Sequence, residues 1–442
     1  MHSSSHDASG GPLRVGLLGI GVVGSGVHRL LQRNRALIER RAGRAIELRA
    51  IAARDVARAR ELTGGAVAVV GDAMAVVTDP DIDVVVEVIG GCTVARELVM
   101  AAIAHGKHVV TANKALLALH GEQILAAADE RGVVVAFEGA VAVSIPIVKA
   151  LREGLAANEI AWLAGIVNGT SNFILTQMRE RAASFDDALG EAQRLGYAEA
   201  DPAFDVDGVD SAHKLALLTS VAFGMRLSFD QIEVAGIRGV QLTDLQCAER
   251  LGHRVKLIAS ARRHGAKVEL RVGPALVPAD SLMARVGGSM NGIVVHGNAA
   301  GSTTYCGAGA GSLETASAVV ADLVELARAA RVPARDRVPA LGLPRDEAVT
   351  LASVAPRDVS TPHYLRMTLA EGADLGHVLD VLADACLQVA AHVDVPARAG
   401  ARGLALLTRA APKSALSEAI GLLERRGLVA ASSVALRVEA LQ

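Results

Sequence analysis

Five carboxylates, Glu199, Asp201, Asp205, Asp207 and Asp210, lie in the stretch YAEADPAFDVDGVDSAHK, which runs from Tyr197 to Lys214 and ends on a lysine. Three roles suit such a group: a metal site, a solvated surface, or a pocket for an ammonium group. An EF-hand needs D-x-[DN]-x-[DN]-G and a closing glutamate, and the spacing here does not supply them. An octahedral Mg site would lack a phosphate-binding context. A solvated loop is the plain alternative. Against it, Asp210 and Lys214 are four residues apart at the start of an otherwise apolar helix (Ala212, Leu215, Ala216, Leu217, Leu218). They share one face, so an ion pair can be carried into a pocket. The helix dipole by itself also accounts for an acid at this position. His213 points elsewhere and reads as structural. An amino-acid substrate accounts for the whole stretch better, with carboxylates for its ammonium and a lysine for its hydroxyl or carbonyl oxygen.

A second group lies near the N-terminus. Gly19-Ile20-Gly21-Val22-Val23-Gly24 is a GxGxxG run between an apolar strand, Leu13–Leu18, and a helical pattern from Ser25 to Arg35. In that context the motif reads as dinucleotide binding. Gly19 allows the tight turn, Gly21 lets the backbone approach a pyrophosphate, and Gly24 lets helix and strand pack closely. The residue after the second strand usually selects the cofactor. That strand ends Ile51-Ala52-Ala53-Arg54-Asp55. Arg54 favours the 2'-phosphate of NADP, the neighbouring Asp55 leaves room for NAD, and both also read as solvated loop charges. The segment Gly106–Lys114 (GKHVVTANK) ends another strand of the same domain, which places Asn113 and Lys114 at the carboxyl end, where ligands of open α/β sheets sit. Lys107, at the strand's start, reads as a surface residue.

The elements that must position these groups follow from periodicity. Strands at Ile46–Ala53, Val84–Ile89, His108–Thr111 and Val133–Phe137 alternate with helices at Val94–His105 and Ala115–Arg131, the pattern of a parallel sheet covered on both faces. Beyond Glu138 the pattern changes. Helices are expected at Ile145–Gly154, Phe173–Arg181 and Ser211–Phe223, and strands at Ile160–Val167, Arg254–Ala261 and Val268–Val277. Pro333, Pro339, Pro344 and Pro356 mark a linker. From His363 to Val438 a β-α-β-β-α-β series has the ferredoxin-like order. The expected fold class is α/β: a Rossmann-type dinucleotide-binding domain (13–140), an α+β substrate-binding and dimerisation domain (141–340, with a helix at 315–330 returning to the nucleotide domain), a linker (341–362) and a ferredoxin-like C-terminal module (363–442), after a polar tail (1–12).

The 442 residues carry 45 basic and 47 acidic side chains, so no broad basic surface for nucleic acid is implied. Cys92, Cys247, Cys306 and Cys386 are scattered without CxxC pairing, which argues against zinc and a disulfide framework and suits a reducing cytosol. No apolar segment is long enough to cross a bilayer before a charge interrupts it, and the start lacks an apolar signal region. The expectation is a soluble cytoplasmic protein.

Six motifs, GIGVVGSGV (19–27), GKHVVTANKALLALHG (106–121), FEGAVAVSIPIV (137–148), GIVNGTSNFILTQM (165–178), LGYAEADPAFDVDGVDSAHKLALL (195–218) and YCGAGAGSLETASAVVADL (305–323), taken in this order, resemble homoserine dehydrogenase along nearly the full chain. The C-terminal module resembles an ACT domain, the amino-acid-binding regulatory fold of the longer members. The resemblance implies NADP- or NAD-dependent interconversion of L-homoserine and L-aspartate 4-semialdehyde, on the route to threonine and methionine, by a homodimer or homotetramer. It implies Lys114 and Lys214 as paired active-site lysines. Glu199, Asp210 and Asp205 would bind substrate, with Asn168, Gly169 and Thr170 as the NGT loop beside the pocket. Gly90, Thr93, Asn113, Lys114, Gly307 and Gly309 would join the glycine turn and Arg54 around the cofactor, with Gly311 in the same loop. It also implies a monovalent cation, Na+ or K+, held by backbone carbonyls at Glu138, Val141, Val143 and Ile145. Three places depart from the family pattern: Val143-Ser144 replaces a small pair, Cys92-Thr93-Val94 stands where Glu-Pro is common, and the D-x-P-G turn of the ACT module reads Asp374-Leu375-Gly376, with leucine at the proline position.

Chemically, a lysine near the substrate oxygen can move the hydroxyl proton if a second cation or desolvation lowers its pKa. Lys214 is expected in that role with Lys114 as electrostatic partner, or the reverse. Two other functions remain open. An acyl-forming semialdehyde dehydrogenase would need a cysteine nucleophile, for which Cys92 is the candidate near the nucleotide site. A non-catalytic dinucleotide-dependent sensor would not need Lys114, Glu199, Asp210 and Lys214 together.

Overall fold

The computed structural model describes residues 11–330, 332–333, 336–395, 402–430 and 433–441. Most of the expected polar tail, and Ser432 within the expected ferredoxin-like series, lie outside these residues. Two compact units emerge: Met1–Ala157 with Ala216–Phe229 and Gly307–Thr350, and Asn158–Leu215 with Asp230–Cys306 and Leu351–Gln442. Among the described residues no helix is long and apolar enough to cross a membrane.

In the first unit six strands pair in parallel: β1 (Leu13–Leu18), β2 (Ile46–Ala52), β3 (Ala68–Val70), β4 (Val84–Glu87), β5 (His108–Thr111) and β6 (Val135–Ala136). Their order, β3-β2-β1-β4-β5-β6, is that of the dinucleotide-binding fold. Val15, Leu17, Val84 and Val86 are fully buried, as a sheet covered on both faces requires. The order reverses between β1 and β4, and folds of this kind bind their ligands at that reversal, beyond the carboxyl ends of the strands. The returning helix, Ser312–Ala329, packs its Ala316, Val319 and Leu323 into the same core.

The second unit is built on one long sheet. Its strands are β7 (Ile160–Ile166), β8 (His253–His264), β9 (Lys267–Pro278), β10 (Met290–Gly297), β11 (Gly301–Ala308), β12 (His363–Thr368), β13 (Val389–Val395), β14 (Gly403–Thr408) and β15 (Val434–Val438). They run in the order β11-β10-β7-β8-β9-β15-β12-β14-β13. The last four form an antiparallel ferredoxin-like sheet, with helices Leu375–Asp384 and Lys413–Arg425 supplying its apolar core. β15 also pairs in parallel with β9, Ala275 opposite Arg437 and Leu276 opposite Val438, so the C-terminal module extends the central sheet.

Local capping accounts for one departure at that module. The chain turns at Gly372, where φ is +78°. Asp374 then caps the following helix by accepting from the His377 amide at 3.2 Å. Leu375 and Gly376 are therefore helical, and Leu375 occupies the first helical position. That position has no intrahelical use for its N–H, so leucine stands where proline is also tolerated. The helix spanning Ile147–Lys149 continues as a π-helix from Ala150 to Gly154, a shorter α-helix than the pattern predicts.

Candidate active site

At the end of β1 the chain makes the glycine turn. Gly19 has φ +97°, and a Cβ on Gly24 would lie 2.0 Å from the Gly19 carbonyl oxygen, so no other residue fits there. The helix Val22–Arg33 starts at Gly21 with no side-chain cap, which leaves its first N–H groups facing outward. Ile20 and Val23 pack against the core, while Val22 is 71% exposed. Ser312 donates from its hydroxyl to the Val22 carbonyl, and Arg29 donates to Ser312 at 3.0 Å. That fastens the loop carrying Gly307, Gly309 and Gly311 beside the turn.

The loop after β4 is shaped by a residue that sequence reasoning missed. Glu87 is fully buried and accepts from the amides of Ile89 at 3.0 Å and Gly90 at 3.1 Å, and from the Thr111 hydroxyl at 2.6 Å. Asn113 caps the helix Lys114–Arg131 by accepting from the Leu116 amide, and its Nδ2 donates to the Gly91 carbonyl at 2.7 Å. Lys114 opens that helix, half-buried. Thr93 opens the helix Val94–Ala104 and is exposed. An acid inside an otherwise apolar strand was the available signal for Glu87. Arg54 is exposed just past β2, whereas the Asp55 carboxylate caps the helix Val56–Thr63 through the Arg58 amide at 2.9 Å. Lys107 overturns the surface expectation. It is buried, and its ammonium donates to the carbonyls of Asp79 and, at 2.7 Å, Ile82, because the chain before β4 turns its carbonyls onto the lysine. Burial lowers its pKa.

The acidic stretch resolves into separate roles in the second unit. Asp201 accepts from the Ala203 amide, and Asp207 pairs with Arg238 at 2.6 Å on the surface. Glu199 is exposed, with its carbonyl held by Gln193. Asp210, 2% exposed, is different. Its Oδ2 accepts from Lys214 Nζ at 2.7 Å and from Asn168 Nδ2 at 2.8 Å. Lys214 Nζ also donates to the Val167 carbonyl at 2.7 Å. Asn168 Nδ2 reaches Asp205 at 2.7 Å, and its Oδ1 caps the helix Gly169–Arg181 through the Ser171 amide at 2.8 Å. Burial, then the charge of Asp210, raises the pKa of Asp205. Thr170 donates to the Tyr197 carbonyl at 2.7 Å, tying the helix start to the acidic stretch. A Cβ on Gly169 would meet the Ser289 carbonyl at 2.7 Å. The structure thus joins Asn168, Asp205, Asp210 and Lys214 in one hydrogen-bonded group and leaves Glu199 outside it. His213 is buried with its ring 5.4 Å from that of Phe204.

A second missed residue braces this group. Lys256 on β8 is buried and donates to Asn172 Oδ1 at 2.9 Å and to the Val286 carbonyl at 2.5 Å. Burial pushes its pKa down to about 7. Asn172 lies one turn beyond Asn168, so Lys256 fixes the helix that presents the cap. Lysine in a strand carries no periodic signal that separates this role from a surface one.

At the residues after β6, Glu138 is buried and accepts from the amides of Val148 and Lys149, each at 2.9 Å. Burial, and then Asp322, push its carboxyl up to about 7. Lys149 pairs with Asp322 at 2.7 Å and with Glu325. Ala142 and Val143 adopt positive φ, 51° and 53°, which is costly for a β-branched residue. The carbonyls of Glu138 and Ile145 accept from the amides of Val141 and Ile147. Those of Val141 and Val143 accept no backbone hydrogen bond from the described residues. Among the described residues no three His, Cys, Asp or Glu side chains gather as a metal site. Cys92 makes a poor nucleophile, since burial, and then Glu87, raise its pKa.

Known proteins carry the same construction. A family model described as homoserine dehydrogenase, NAD binding domain, matches residues 19–138, and one described as homoserine dehydrogenase matches 146–324. The homoserine dehydrogenase of Pseudomonas aeruginosa is 47% identical over 434 residues, 97% of this chain and 99% of that one. A crystal structure of a homoserine dehydrogenase from Thiobacillus denitrificans superposes with a TM-score of 0.93 at 47% identity, covering 98% of this chain and 99% of that one. A hyperthermophilic archaeal homoserine dehydrogenase in complex with NADPH gives 0.61 at 26% identity, covering 71% of this chain and 97% of that one. With a parallel sheet in the order of the dinucleotide-binding fold and a buried Asp210–Lys214 pair in the second unit, this chain belongs to the homoserine dehydrogenase family.

Proposed function

We propose that the chain catalyses the reversible NAD(P)-dependent interconversion of L-homoserine and L-aspartate 4-semialdehyde. The observation that carries this is the buried group around Asp210. A lysine ammonium and an asparagine amide converge on one carboxylate oxygen, and a second carboxylate, Asp205, stands on the same asparagine. A dinucleotide held by the glycine turn would supply hydride transfer to and from the substrate's alcohol carbon. Lys214, as the neutral amine, takes the hydroxyl proton during oxidation and, as the ammonium, returns it during reduction, held in place by Asp210 and the Val167 carbonyl. Asp205, Asp210 and Glu199 bind the substrate ammonium. Lys114 is the electrostatic partner. Gly169 and Thr170 fix the backbone beside the substrate.

The glycine turn from Gly19 to Gly24, Gly90, Thr93, Asn113, Gly307 and Gly309 form the dinucleotide site. Support comes from the uncapped helix start and from Val22, Ile89 and Val94, apolar residues left exposed around the strand ends. NADP is the favoured cofactor. Asp55 spends its carboxylate as a helix cap and Arg54 is exposed beside it, so a guanidinium rather than an acid is available to the ribose. A monovalent cation, Na+ or K+, suits the turn from Glu138 to Ile145, where the carbonyls of Glu138, Val141, Val143 and Ile145 would hold it, those of Val141 and Val143 accepting no backbone hydrogen bond from the described residues. The chain works as a homodimer or homotetramer, for which the exposed edge strand β11 offers a pairing surface. The C-terminal module acts as an ACT-like domain with weak or absent threonine response. The test is homoserine-dependent formation of NADPH or NADH by the purified full chain. Turnover of homoserine with either cofactor is expected, and inactivity with both would refute the proposal.

A further inference from the structure

Glu87 is the last residue of β4, the strand just past the reversal of the sheet order, and it is fully buried. In the sheet it stands between Leu18, the end of β1, and Thr111, the end of β5. It therefore lies at the carboxyl edge, where folds of this order hold a dinucleotide. Among the described residues its hydrogen-bond partners are all neutral. The amides of Ile89 and Gly90 donate to Oε1, and the Thr111 hydroxyl donates to Oε2 at 2.6 Å. The Asn113 amide donates to Thr111 Oγ1 at 3.0 Å, which leaves the hydroxyl hydrogen for Glu87. The carboxylate thus only accepts, the arrangement that suits its ionised form.

Burying a carboxylate is costly unless an opposite charge is at hand. A glutamine could hold the same two amides through its carbonyl oxygen without burying a charge. The charge of Glu87 is therefore more than the loop's shape requires. Its field reaches the loop: after burial, Glu87 is the second cause that raises the Cys92 thiol. The two halves of a dinucleotide divide by strand. The glycine turn after β1 and Arg54 after β2 serve the pyrophosphate and the adenine side, which leaves the ends of β4 and β5 to the nicotinamide side. The nicotinamide ring is a cation when oxidised and neutral when reduced.

We propose that Glu87 is the countercharge of the oxidised nicotinamide, so that the site favours the oxidised over the reduced dinucleotide more than a neutral residue there would. This rests on the dinucleotide site proposed above. Transfer of hydride, with its electron pair, from the reduced ring to the aldehyde carbon leaves the positive charge on the ring, while the substrate oxygen takes its proton from Lys214. A fixed carboxylate beside the developing cation assists that direction. Glu87 thereby sets the preference between cofactor oxidation states, in addition to shaping the loop from Ile89 to Gly91.

Isothermal titration of the full chain with NADP+ and with NADPH, each without homoserine, tests this. Glu87→Gln keeps the shape and removes the charge. It should weaken NADP+ at least about fivefold relative to NADPH. Glu87→Ser, a second neutral replacement, should move the ratio of the two affinities the same way, and thermal unfolding shows which variants are folded. Thr111→Val removes a neutral partner and should change both affinities by the same factor. An unchanged ratio in a folded neutral variant would overturn the assignment. So would an equal shift of the ratio in Thr111→Val, which would assign the effect to loop shape. Failure of the parent to bind either dinucleotide would overturn the proposed site and this inference with it. The titration contains no homoserine, so a different substrate would leave its result standing.

Discussion

Replacing Lys214 with alanine separates its chemical role from its structural one. The substitution removes the ammonium 2.7 Å from Asp210 Oδ2 and leaves a carboxylate that is 2% exposed with the amide of Asn168 still donating to it. Removing one partner of a buried ion pair costs about 3–5 kcal/mol. The retained Asn168 bond sets the expectation near the lower end, about 3 kcal/mol. Loss of the proton-transfer group should also lower kcat by about 10²–10⁴-fold. Asp210→Asn combined with Lys214→Met distinguishes the two effects. It removes both charges, so most of the stability should return while kcat stays low. The chain's single tryptophan, Trp162, is buried on β7 in the same unit, so its fluorescence during urea unfolding reports stability where the change is made. Homoserine oxidation gives kcat in parallel. A Lys214→Ala enzyme with kcat within tenfold of the parent, or recovery of kcat in the double variant, would refute the assignment of the proton to Lys214.

Other outcomes follow from the same geometry. Arg54→Ala should raise KM for NADP and leave KM for NAD nearly unchanged; equal changes in steady-state assays would show that Arg54 reads no phosphate. Asn168→Ala should raise the homoserine KM and lower kcat together, because it unties Asp205 and Asp210 and removes a helix cap worth about 1 kcal/mol; a purely thermal effect with normal kinetics would count against its place in the site. Glu138 has a folded pKa of about 7 against the ordinary 4.5, so the folded state binds more protons between those values. Its contribution to stability is present below 4.5 and is lost as pH rises through about 7. Denaturation of Glu138→Gln across that range should show a flatter pH dependence than the parent, and identical curves would contradict the assignment.

The nucleotide half was legible because two local signals coincide there. A glycine run between an apolar strand and a helix is short-range information, and the β-α alternation around it needs only periodicity. Asp210 and Lys214 were legible for the same reason, since four residues on a helix place two side chains on one face. Glu87, Lys107 and Lys256 were not. Each is a charged residue whose burial depends on carbonyls or amides supplied by distant or turning segments, and nothing in its own neighbourhood encodes them. The Asp374-Leu375-Gly376 segment shows a related limit. Its residues suggested a D-x-P-G-type turn that had lost its proline, but an aspartate three residues before His377 caps a helix instead, and the first-turn position is indifferent to the missing proline. The parallel pairing of β9 with β15 is likewise left open by the order of elements.

Isotope transfer tests the central claim most directly. L-homoserine with both hydrogens of its alcohol carbon replaced by deuterium is incubated with the full chain and NADP, and the reduced dinucleotide is examined by mass spectrometry. Direct hydride transfer predicts NADPH one mass unit heavier, formed together with L-aspartate 4-semialdehyde. Reduced dinucleotide without deuterium, or no reduced dinucleotide with either NADP or NAD, would contradict the account.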